Sequence, residues 1–147
     1  NQLRGQHGSR YADLTQRTAF AFGEGLTYTT VEYADLTVAE SALSADDTIR
    51  GTVRLTNTGT RPAREVVQVY VSDVVTSASW TDQELKTYRV VELAPGQTRV
   101  VELELPVAEC TIVNAAGDRV VEPGDFELRV GPSSRTEDLL TAAFTVA

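Results

Sequence analysis

Between Thr48 and Leu55 the apolar residues Ile49, Val53 and Leu55 alternate with Arg50, Thr52 and Arg54, and the same two-residue period returns in several later runs. A period of two turns successive side chains to opposite faces of an extended backbone, so each run is a half-buried β-strand and not a helix. Nineteen valines and nineteen threonines supply the β-branched side chains that favour a pleated surface. Leu36 and Val38 share a face of a strand that begins near Val31. Asn57-Thr58-Gly59 ends the next one, because asparagine and glycine tolerate left-handed conformations. Arg64 to Val75 is apolar on both faces, with Val67, Val69 and Val71 on one and Val66 and Tyr70 on the other. That pattern predicts a central strand whose second face is covered, with the N-terminal leader as the cover.

Further along, Glu84 to Leu93 forms a strand, and Ala94-Pro95-Gly96-Gln97 has the residue order of a type II turn. Thr98 to Leu105 points Val101, Leu103 and Leu105 inward and Glu102 and Glu104 outward, up to Pro106. A short apolar run, Cys110 to Val113, precedes a turn over Asn114 to Asp118. A second Pro-Gly turn at Pro123-Gly124 leads to a strand bearing Phe126, Leu128 and Val130. The last strand buries Leu140, Ala142, Phe144 and Val146. Seven or more short strands with turn residues between them make an all-β fold, an antiparallel β-sandwich over residues 31–147. Residues 1–30 form an irregular leader and connector. Within it, Phe20, Phe22, Leu26 and Tyr28 surround Gly23 and Gly25, a grouping that predicts a bent, well-packed link. Residues 1–18 bury too little apolar area to offset their chain entropy, so alone they are expected to be poorly ordered or to lean on another copy.

The chain of 147 residues allows one domain of ordinary size. Its apolar runs fall far short of the roughly 18–20 residues of a membrane-spanning helix, so no membrane partner is expected. The net charge is −8. Residues 1–30 hold Arg4, Arg10 and Arg17 against Asp13 and Glu24, or +1, which leaves −9 on the strand-rich remainder. A surface of that sign disfavours nucleic acid. Cys110 is the single cysteine, so no internal disulfide forms. The lack of any methionine fits a piece of a longer polypeptide.

The segment AFAFGEGLTYTT, Ala19 to Thr30, resembles the FPFGxGLSYT signature of glycoside hydrolase family 3, with Ala21 in place of the usual proline. Further strings match in order: NTG at Asn57 to Gly59, EVVQVYVSD at Glu65 to Asp73, ELK at Glu84 to Lys86, VELAPGQT at Val91 to Thr98, and VVEPGDFELRVGPSS at Val120 to Ser134. Thr81-Asp82-Gln83 departs from the proline-containing stretch common there, and Ser9 to Leu14 is similar to the end of the preceding sandwich domain. The resemblance is to the C-terminal fibronectin type III-like domain of bacterial β-glucosidases of that family. It implies an immunoglobulin/fibronectin type III-like sandwich that is a non-catalytic accessory domain. Its partners would be the catalytic domains of the same chain, and its uncovered surfaces could pair copies of the fragment. The parent would release terminal non-reducing β-D-glucosyl or related residues. Its nucleophile and acid/base lie on other domains, so no catalytic residue carries over.

Single residues support that reading. Glu102 and Glu104 lie two apart on one strand face, about 7 Å by strand rise, where retention needs carboxyl groups about 5 Å apart across a sugar-sized cleft. Their neighbours mark a solvated face. Asp46-Asp47 and Glu137-Asp138 sit in loops without further ligands, so no metal is expected. His7 is the single histidine, too isolated for zinc or a triad. Cys110, in an apolar run, reads as a small buried hydrophobe. Gly23-x-Gly25 lacks the third glycine of a dinucleotide fingerprint, position 28 being Tyr28, and no cofactor is expected. Trp80, in a polar loop, is the candidate for contact with a sugar or another domain, with Tyr88 as helper. The competing functions are therefore a carbohydrate-binding module built on Trp80 and a stand-alone interaction sandwich.

Overall fold

A computed structural model describes residues 19–75 and 81–147 of the chain. His7, the Ser9 to Leu14 stretch and the expectation for residues 1–18 lie outside the described residues, as does Trp80. The described strands are β1 (Val31–Val38), β2 (Ala42–Leu43), β3 (Thr48–Asn57), β4 (Ala63–Asp73), β5 (Glu84–Leu93), β6 (Thr98–Pro106), β7 (Ile112–Val113), β8 (Arg119–Val120), β9 (Gly124–Gly131) and β10 (Leu140–Val146). They form a three-stranded sheet, β1-β3-β6, and a five-stranded sheet, β2-β10-β9-β4-β5, with β7 and β8 as a small separate hairpin. All pairings are antiparallel except β2 with β10.

The core lies between the two larger sheets, as the alternation predicts. Val53, Leu55, Leu103 and Leu105 face in from one sheet, and Val67, Val69, Leu93 and Leu128 from the other. Phe126 and Phe144, directly opposite on β9 and β10, stack with ring centroids 5.4 Å apart. Tyr33 on β1 joins the sheets by donating its hydroxyl to Glu65 Oε1 on β4 at 2.7 Å. Burial, and then the Glu65 carboxylate, push that phenol well above its ordinary pKa.

β1 contains one irregularity with a clear cause. Val31 and Tyr33 face the core at odd positions, whereas Leu36 and Val38 do so at even ones. A strict two-residue period cannot serve both, so an extra residue enters and the register with β3 shifts between Ala34 and Thr37. Asp35 occupies the shift at φ 52°, and its carboxylate accepts from Arg54 Nε at 2.6 Å.

Two turns follow the sequence and two do not. Gly96 has φ 72° and Gln97 N–H donates to Ala94 O at 3.0 Å, the type II turn expected for Ala94 to Gln97. Gly117 has φ 89° within the loop that closes β7 on β8. At Pro123-Gly124, by contrast, the chain only bends, and Gly124 already pairs with Val146 in β9. Nor do Asn57 and Gly59 adopt the left-handed conformation expected of them. Asn57 is the last residue of β3 and works through its side chain, while Gly59 is required for space: a Cβ there would lie 2.1 Å from Thr29 Oγ1 and 3.0 Å from Thr30 N.

β4 is central, between β5 and β9. Its second face is only partly apolar surface. Val66 is exposed, but Gln68 and Tyr70 are buried beneath residues that come from elsewhere in the chain.

Candidate functional site: the anchored connector

The residues that cover β4 belong to the Phe/Gly connector. Gln68 projects from the outer face of β4, and its amide donates to Gly23 O at 2.9 Å and to Pro132 O at 2.6 Å. Its own carbonyl accepts the Tyr70 hydroxyl. The buried Tyr70 hydroxyl is thereby paired, and this amide becomes a junction of β4, the connector and the segment after β9. Gly23 takes φ 74°, and a Cβ there would fall 2.0 Å from Gln68 Oε1. Glycine is therefore needed on two grounds, conformation and space. Gly25 has neither a positive φ nor a neighbour within 4 Å of a Cβ, so the second glycine is not required by this packing.

Two more contacts fix the same turn. Ser134 N–H donates to Phe22 O at 2.9 Å. Glu24 accepts from Ala21 N–H at 2.8 Å and from the Arg135 guanidinium. The Ala21 N–H first, and then Arg135, hold the Glu24 carboxyl below its usual range, while the bond to Glu24 raises Arg135 further. Seven residues on, the connector is fixed again. Thr29 donates its hydroxyl to Asn57 Oδ1 at 2.7 Å, Thr58 N–H donates to Thr30 O at 2.9 Å, and the Arg61 guanidinium lies 5.9 Å from the centre of the Tyr28 ring.

Held at both ends, the connector nonetheless turns its large side chains outward. Phe20 is 78% exposed, Phe22 66%, Leu26 99% and Tyr28 91%. The expected link is bent but not packed by its own aromatics, because hydrogen bonds supply the anchorage and the rings remain largely exposed. Beside them the outer face of β4 and β5 exposes Val66, Leu85, Tyr88 and Val90. Phe22, Tyr70 and Leu85 line one shallow cleft together with Asp82, Gln83 and Ser134.

The remaining residues fall into ordinary roles. Glu102 and Glu104 are exposed on β6, with Glu104 3.4 Å from Arg50 Nε. Asp47 Oδ2 accepts from Ser44 N–H at 2.7 Å and from its hydroxyl at 2.8 Å, and these bonds lower its carboxyl pKa. Asp46 is exposed beside it. Glu137 and Asp138 flank Arg135 at 3.9 and 3.8 Å. Among the described residues no three His, Cys, Asp or Glu side chains are grouped to hold a metal ion. Tyr88 is exposed on the outer sheet face. Sequence reasoning missed Gln68 and Arg135. Glutamine inside the otherwise apolar run Val66 to Val71 was the available signal for the first, because a polar side chain mid-strand needs a partner.

Cys110 is buried, and burial pushes its thiol up to about 11 despite the opposing charge of Lys86. A thiol kept neutral in the fold favours it fully below pH 9, and that contribution is lost as pH rises toward 11. In the native protein at pH 8, Cys110 is expected to react with a disulfide reagent at least about 100-fold more slowly than after unfolding in guanidinium. Equal rates would show that the thiol is accessible.

Residues 65–134 match the family model of the fibronectin type III-like domain. A β-xylosidase of Formosa agariphila is 39% identical over 93% of this chain, which covers 19% of that protein. The thermostable β-glucosidase B of Acetivibrio thermocellus is 36% identical over 87% of the chain, corresponding to 17% of its own length. Among solved structures, a β-glucosidase involved in saponin metabolism from intestinal bacteria superimposes with a TM-score of 0.92 and 55% identity, covering 100% of this chain and 20% of that one. The chain thus spans about a fifth of the length of these relatives or less. Two facing sheets, the turn strings in their expected order and matches to one segment of much longer proteins have a common explanation: the chain carries a fibronectin type III-like domain over residues 65–134, similar to the one-fifth segment it matches in β-xylosidases and β-glucosidases.

Proposed function

We propose that the chain is the accessory, non-catalytic part of a β-glucosidase-type hydrolase, one that removes terminal non-reducing β-D-glucosyl or related residues. In this reading residues 1–30 are the leader and connector from a preceding catalytic domain, and residues 31–147 are the accessory domain. Its role is to brace the catalytic domains of the same polypeptide. The observation that carries the reading is the connector itself: its backbone is anchored at Gly23 and again at Thr30, while Phe20, Phe22, Leu26 and Tyr28 are exposed. Fixing the backbone in advance lowers the entropy lost when those side chains are buried by a partner. Large apolar groups presented on a rigid segment suit a permanent contact within one chain better than transient capture of a polar sugar. The purified chain is expected to release no nitrophenol from an aryl β-glucoside or β-xyloside. Turnover that follows the chain through purification would overturn the assignment.

A further inference from the structure

Eleven large hydrophobic side chains are exposed among the described residues. Four are on the connector, and four more, Val66, Leu85, Tyr88 and Val90, are on the outer face of β4 and β5, so most of the exposed apolar surface lies on one side of the domain. The outer face of the opposite sheet is different: Arg50, Arg54, Glu102 and Glu104 lie there among threonines with a single exposed valine, Val100, and Arg50 pairs with Glu104. Val66 and Val90 are direct cross-strand partners, and Tyr88 is opposite Gln68, the residue on which the connector is seated. At the other end of the row, Leu85 shares a cleft with Phe22. The sheet face is therefore continuous with the connector surface.

We infer that this face, centred on Val66, Tyr88 and Val90, is a second docking surface for the catalytic body of the same polypeptide, a contact made by the sheet itself in addition to the connector. The inference rests on the accessory reading above. The relatives are about five times longer than this chain, which supplies a partner large enough to cover both surfaces at once. A lone apolar face of this kind is unusual on a free-standing domain. Pairing along the edge of β5 is disfavoured because Lys86 and Arg89 place charges on that edge strand, so the partner meets the face and not the edge.

The test uses the double variant Tyr88→Thr/Val90→Thr, which keeps strand-forming residues at exposed positions. In the 147-residue chain its thermal midpoint should stay within about 1 °C of the parent. In the longer hydrolase carrying this domain the midpoint should fall by about 5 °C, with faster proteolytic release of the domain. An unchanged midpoint in the longer protein, while deletion of residues 31–147 does lower it, would overturn the sheet-face contact and leave the accessory role standing. Deletion without effect would overturn both. A dimer of the 147-residue chain that the double variant dissolves would assign the face to a second copy and likewise overturn the inference.

Discussion

Asn57→Ala is expected to lower unfolding stability by about 3–5 kcal/mol, since each buried polar group left without a partner costs about 1–3 kcal/mol. The Asn57 side chain is fully buried and uses its whole bonding capacity. Its amide donates to Arg61 O at 2.7 Å and Leu93 O at 3.2 Å, and its carbonyl accepts from Thr29 Oγ1 at 2.7 Å and Gly59 N–H at 3.1 Å. Its backbone N–H donates to Gln97 O, and its backbone carbonyl accepts Gly96 N–H, in the turn joining β5 and β6. One residue thus holds together the end of β3, two turns and the far end of the connector. Removing its side chain strands four groups, some of which water will reach, and this keeps the estimate below the full sum. A domain of this size typically has about 5–15 kcal/mol in total, so the midpoint should drop by something on the order of 10–20 °C. Thermal denaturation followed by circular dichroism would check it, and a loss under about 1 kcal/mol would mean the network is not cooperative.

Gly23→Ala should act differently, by freeing the connector while the sandwich stays folded. An alanine at φ 74° costs about 1–2 kcal/mol in backbone conformation. Its Cβ must also push away Gln68, which is held by three hydrogen bonds and cannot swing clear without breaking them. Together these effects come to about 3 kcal/mol against the docked connector, or about a 100-fold rise in the open form. The global cost cannot exceed the free energy of undocking, because the sheets do not depend on this segment for their own pairing. Limited proteolysis should therefore cut beside Phe20 and Phe22 about 100-fold faster, with the far-ultraviolet spectrum unchanged. Cleavage at the parental rate would show that Gly23 does not set the connector's position.

What the sequence reveals and conceals here follows from the range of the interactions involved. β5 runs from Glu84 to Leu93, the bounds expected from the sequence, because the turn residues that end it follow directly in the chain. The type II turn at Ala94 to Gln97 is legible for the same reason. β2 is only Ala42-Leu43, too short to show any period, and exists because Thr145 and Val146 lie beside it. The cover over Tyr70 is also non-local: Gly23 and Pro132 are separated from Gln68 by 45 and 64 residues. Asn57 could be read as a turn residue, but its role as a hub requires Thr29, Arg61 and Leu93 to be near it. The connector's aromatics were legible as a group, yet their outward direction was not, since it follows from anchoring contacts with residues distant in sequence.

The parallel contact of β2 with β10 bears on how the domain carries tension. Thr145 N–H and Ala147 N–H donate to Ser41 O and Leu43 O, tying the last strand to a segment that follows closely after β1. A force applied between the connector and Ala147 would load these bonds simultaneously, in shear along the strand direction, so they could not peel apart singly like the teeth of a zip. Stripping β10 from the sheet therefore requires its contacts with Ser41 and Leu43 to fail together.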